Sequence, residues 1–177
     1  MRDMAIVKAS FTKSSGGAKA SIRYIEHRPG KDHTKITRTL WGWDGKMERK
    51  EAYAMIDEAR RGSYFFRFVI SPDPVKEDTH KDMYLRDLTE QTMLGLEERL
   101  QRSIHFVAAT HDDHAPHRHV HLVAIVPKKL QVQDLQAVRE MATEAALDQR
   151  RQRDNIVEQS REKGKEQAWQ RERERSK

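Results

Sequence analysis

The chain has 177 residues, with 34 Lys and Arg against 28 Asp and Glu, no cysteine, and a formal net charge of +6. The absence of cysteine excludes disulfide frameworks and thiolate metal sites, and no stretch approaches the roughly 18 apolar residues of a membrane span. The basic balance favours a polyanionic partner, nucleic acid before a membrane surface, with no membrane insertion, and the composition reads as a cytoplasmic protein with a modest core under a heavily charged surface.

Residues 5–11 (AIVKASF) predict a first strand, followed by the small, polar loop TKSSGGAK. The segment AKASIRYIEHR predicts a short helix stopped by Pro29 and Gly30. Ala18, Ile22 and Ile25 recur at helical spacing and form its buried stripe, whereas Tyr24 lies roughly 200° around the helix from Ile22 and falls off that stripe. Residues 35–43 (KITRTLWGW) predict a strand entering a turn at Asp44-Gly45. A helix follows in MERKEAYAMIDEARR, with Ala52, Met55, Ile56 and Ala59 inward.

The run YFFRFVI (64–70) is apolar and β-prone and ends at SPDP. Residues 82–101 predict the longest amphipathic helix, with Leu85, Leu88, Leu96 and Leu100 on one side. SIHFVAAT (103–110) predicts another strand, the polar loop HDDHAPHR follows, and HVHLVAIV predicts a last strand closed by Pro127. A further helix over 134–149 leads into 150–177, which carries ten Lys and Arg against six Asp and Glu and is read as an exposed helix or a disordered tail. The sum is an α+β fold: an antiparallel sheet of four to five strands with helices packed on one side, a core over 1–130, and a C-terminal helix and charged tail over 131–177.

Five of the nine histidines fall between His111 and His121. Side chains alternate along a strand, so His119 and His121 share a face with Val123 and Ile125. A third ligand, His111, is expected to fold back from the preceding loop, and three neutral imidazoles with open positions suit a catalytic metal. Asp113 can orient a ligand from behind. An HxH pair on a strand is more often an exposed polar pair, but clustering of this density raises the metal reading to an even choice. His114 and His117 are then extra.

The stretch HDDHAPHRHVHLVAIV resembles the histidine motif of the relaxases of conjugative and mobilizable elements, within the HUH endonucleases. GGAKASIRYIEHRPG, YFFRFVISPDP and LRDLTEQTMLGLEERLQRSIHFVAATH resemble further segments of the MobP-type branch, in the same order, over roughly residues 5–130. The resemblance implies an HUH-like fold and a site-specific endonuclease that nicks single-stranded DNA at an origin of transfer through a 5′-phosphotyrosine. It further implies a divalent metal (Mn2+ or Mg2+, with Zn2+ as the alternative) held by His111, His119 and His121. The gap before HVH is one residue longer than in the family form, which leaves His117 as a rival ligand.

In relaxases the nucleophilic tyrosine precedes the histidines, as all four tyrosines do here. Tyr24 matches the family motif, and Tyr53, Tyr64 and Tyr84 are assigned to packing. Asp113 is a candidate for taking the phenolic proton. Arg23, Arg28, Lys128 and Lys129 are expected phosphate contacts, and Trp41 or Trp43 an expected stacking platform. The implied partners are single-stranded DNA with an adjacent duplex or hairpin and accessory relaxosome proteins. The competing readings are a phosphoesterase using metal-activated water and a non-catalytic DNA-binding accessory protein.

Overall fold

The computed structural model describes residues 5–30, 32–112 and 117–175. The fold is α+β, built on one six-stranded sheet in the order β1-β4-β6-β5-β2-β3. Its strands are β1 (Ile6–Thr12), β2 (Leu40–Gly42), β3 (Gly45–Met47), β4 (Tyr64–Ser71), β5 (His105–His111) and β6 (His119–Val126). Every pairing between neighbours is antiparallel. The sixth strand is β3, which takes Gly45 from the expected turn and Met47 from the start of the expected helix. Gly45 adopts φ +106°, a conformation open to glycine, and lets the chain reverse so that β3 pairs back on β2. The strand expected over 35–43 shrinks to Leu40–Gly42, because only this part pairs with β3 and β5.

Helices cover both faces of the sheet, correcting the expectation of one covered side. On one face α1 (Ser15–His27) and α2 (Arg49–Asp57) bury Ala18, Ile22, Ile25, Ala52 and Ile56 against Phe65, Val107, Ala109 and Val123. On the other, α3 (Leu85–Leu100) and α4 (Val132–Arg175) pack Leu88, Met93, Leu96, Val138 and Ala142 against Phe66, Phe68, Phe106 and Leu122. The odd–even split within YFFRFVI and HVHLVAIV shows why both faces must be covered. These central strands are largely apolar on both sides, with Arg67 the exposed exception on β4.

The boundary expected at residue 130 falls just before a helix that belongs to the core. Val138, Ala142 and Ala146 are fully buried, and Thr143 Oγ1 accepts a hydrogen bond from Ala5 N at 2.9 Å. The expected helix and tail are one continuous helix of 44 residues whose residues 154–175 are exposed throughout. Where α4 leaves the core it clamps the 72–84 segment: Arg150 donates to Thr79 Oγ1 and Gln149 to Tyr84 O. No helix among the described residues is long and apolar enough to cross a membrane.

That segment holds a buried acid. Glu77 is 1% exposed, one carboxyl oxygen accepts from Asp73 N at 2.6 Å, and the other has no hydrogen-bond partner among the described residues. Burial, above all, pushes its pKa up from 4.5 to about 7. The folded value lies above the unfolded one, so the acid's contribution to stability is complete below pH 4.5 and is lost as pH rises through about 7. Glu77→Gln should therefore gain on the unmodified chain by roughly 1–2 kcal/mol at pH 8 relative to pH 4.5, about 2–8 °C in Tm. Thermal unfolding at the two pH values checks this, and an equal Tm difference at both would sink it.

Candidate metal centre and adjoining cleft

Strand pairing, not a loop, brings the histidines together. β5 and β6 are antiparallel with His111 opposite His119 and Ala109 opposite His121. All three imidazoles therefore emerge on the α1/α2 face at one end of the sheet. Their ring centroids are 4.4 Å apart for His111 and His121, 5.0 Å for His119 and His121, and 5.4 Å for His111 and His119. One nitrogen from each can be chosen so that all lie within 4.8 Å of one another.

The hydrogen bonds decide which nitrogens those are. His111 Nε2 lies 2.9 Å from Ile25 O, and a carbonyl only accepts, so Nε2 carries the proton and Nδ1 the lone pair. His119 Nδ1 donates to His117 O at 3.2 Å, which leaves Nε2 as its ligand atom. His121 Nε2 is buried with no hydrogen-bond partner among the described residues. Burial, then the neighbouring His111 and His119, then Arg28 and Arg38, hold the His121 pKa down from 6.5 to about 3. It is a neutral imidazole at neutral pH. Three ring nitrogens within reach of one another, two of them (His111 Nδ1 and His121 Nε2) buried with no hydrogen bond among the described residues, fit a divalent cation.

Ile25 O fixes the tautomer of His111, the role the sequence reading gave to Asp113. Asp113 and His114 lie outside the described residues. His117 does not join the cluster: its side chain is exposed, and it contributes its carbonyl to His119. Arg118 secures the start of β6 from the other side, through two hydrogen bonds to Asp78 at 2.8 and 2.9 Å and one to Met83 O.

Tyr24 is carried on the same helix as Ile25. Ser14 caps α1 by accepting from Gly17 N, and the Ala18-Ile22-Ile25 stripe presses it onto the sheet. Tyr24 is left 53% exposed, as its off-stripe position predicts. With His121 it lines a cleft of about 690 Å³ between α1 and the sheet. The Arg28 guanidinium sits 5.8 Å from the Tyr24 ring centroid. Arg38, a residue the sequence reading missed, is 8% exposed and donates to Arg28 O at 2.8 Å. Lys8 and Arg67, also missed, lie in the same cleft. The signal for Arg67 was present, since it is the lone cation inside YFFRFVI.

The remaining expectations are placed elsewhere. Trp41 and Trp43 stack edge-on against Phe106, at 5.9 and 4.8 Å, and Trp43 Nε1 donates to Ile104 O. These indoles belong to the core on the α3/α4 side and offer no stacking platform beside the histidines. Lys128 and Lys129 are exposed just beyond the far end of β6, some 20 Å or more from His119 by strand rise. Arg23 is exposed on α1 but does not line the cleft. Tyr53 and Tyr64 are partly buried, as expected, but Tyr84 is 73% exposed beside Arg153. Tyr84 is the N-cap residue of α3, so its side chain leaves the helix before the buried face begins. Comparison with family models, curated proteins and solved structures finds no match for this chain.

Proposed function

We propose that this chain is a metal-dependent, relaxase-type enzyme that nicks single-stranded DNA, with Tyr24 as nucleophile and a divalent ion held by His111 Nδ1, His119 Nε2 and His121 Nε2. The observation that carries the reading is the cleft in which the exposed Tyr24 phenol lies beside His121, one of the three clustered histidines, with the Arg28 guanidinium 5.8 Å from the Tyr24 ring centroid. A bound ion supplies Lewis acidity to the non-bridging oxygens of a scissile phosphate.

The chain's own groups do the rest. Tyr24 Oη attacks phosphorus in line, the Oη–P bond forms, and the P–O3′ bond breaks. The phenolic proton passes to solvent or to Asp113, and O3′ leaves as the hydroxyl after taking a proton. The product is a 5′-phosphotyrosine that keeps the energy of the phosphodiester, so the reverse attack by a 3′-OH rejoins strands. Arg28 neutralises charge on the phosphate. The hydrogen bond from His111 to Ile25 O couples the nucleophile's helix to the ligand set and holds phenol and metal in register.

The test is direct. The full chain is incubated with Mn2+ and a random-sequence single-stranded pool labelled at the 3′ end, then separated under denaturing conditions. The expected result is a labelled, protein-sized band that disappears with EDTA. Cleavage without such a band favours the water-based phosphoesterase, and binding without cleavage favours the accessory protein.

A further inference from the structure

The cleft beside Tyr24 is made by a stripe of small residues. Gly17, Ala20 and Ser21 line its helical wall, and their small size leaves the space open. Its floor is the outer face of β1 and β4. Lys8 pairs with Val69, which pairs in turn with His121, so one row of the sheet runs from a metal ligand to Lys8. Two strand spacings separate them, about 10 Å between Cα atoms. Ser10 pairs with Arg67 in the next row, which makes Lys8 and Arg67 diagonal neighbours, close enough for two long cationic side chains to converge.

Both cations are exposed, and neither forms an ion pair among the described residues. Among the described residues, no Asp or Glu lines the cleft. Two cations without an ion pair among the described residues suit the pocket to an anion, and its length beyond His121 is that of about one to two nucleotides.

We propose that this cleft is a nucleotide subsite, in which Lys8 and Arg67 bind the phosphate next to the scissile one while its sugar and base lie against the Gly17-Ala20-Ser21 wall. The assignment rests on the nicking reading and extends it. Lys8 and Arg67 set which nucleotide is presented to Tyr24, and the small-residue wall gives the space in which that nucleotide is held.

The experiment measures binding without chemistry. Fluorescence anisotropy follows a random-sequence single-stranded hexanucleotide pool on the full chain, in EDTA, across a salt series. The double variant K8Q/R67Q should bind at least tenfold more weakly at low salt. The slope of its log affinity against log salt should be shallower by about 1.4, roughly 0.7 for each single-strand phosphate contact. The charge-matched control K128Q/K129Q, at the opposite end of the sheet, should move the slope by less than half of that. Ala20→Trp fills the cleft from an exposed position without removing a charge, and should weaken binding by a similar factor while circular dichroism shows the fold intact. A K8Q/R67Q slope no different from the control's, or unchanged binding in Ala20→Trp, overturns the subsite and leaves the Tyr24 and metal reading standing. Absence of any single-strand binding by the unmodified chain overturns both.

Discussion

Tyr24→Phe should abolish both cleavage and the covalent protein–DNA band while leaving metal content and single-strand affinity within about twofold of the unmodified chain. The substitution removes one oxygen from a ring that is more than half exposed, so packing on α1 and its hold on His111 are retained. Phenylalanine cannot form a phosphoester, and loss of a covalent nucleophile costs on the order of 10⁴ or more in rate. Tyr53→Phe, Tyr64→Phe and Tyr84→Phe should each keep the band. Mass spectrometry of the trapped adduct should find the nucleotide on the peptide spanning ASIRYIEHR. Cutting that persists in Tyr24→Phe, or an adduct on another peptide, removes Tyr24 from its role.

The second large effect is expected at the histidines. His121→Ala should bring bound Mn2+ from one equivalent to near zero and lower nicking by about 100-fold or more, since one of three protein ligands is gone. The fold should survive, because His121 Nε2 makes no hydrogen bond among the described residues and its removal leaves none broken at that atom. His119→Ala should behave alike. His111→Ala should lose metal and also loosen α1, because its bond to Ile25 O goes with it. His117→Ala should keep full metal content, its exposed ring lying outside the ligand set. Metal content by atomic absorption, beside circular dichroism, reads these outcomes. Undiminished Mn2+ in His121→Ala would falsify the ligand assignment.

Much of this could be read in the residues alone, wherever the information is local. The 3.6-residue spacing of Ala18, Ile22 and Ile25 identified the buried side of α1 and so put Tyr24 in solvent. Alternation along HVHLVAIV put His119 and His121 on one face, the face on which Val123 packs under α1 and α2. Strand β3 escaped because three residues are too few to show a period. The continuation of α4 stays open in the sequence between an exposed helix and a disordered tail, because its exposed half has no apolar stripe for periodicity to reveal.

What tertiary structure alone decided is pairing across distance. His111 is already a candidate ligand in the sequence, expected from a loop; what brings it to the other two is the β5–β6 register that sets it opposite His119, a relation no spacing along the chain specifies. Trp41 and Trp43 went to the core because Phe106 waits on the neighbouring strand, and Lys128 and Lys129 went to the far end because β6 runs away from the site. Lys8 and Arg67 come together because β1 pairs with β4, and Arg38 comes near His121, relations that no distance along the sequence predicts. Periodicity reports which way a side chain faces, since that depends on one backbone's geometry. Which side chains meet depends on register and strand order, and these are set by the packing of the whole chain.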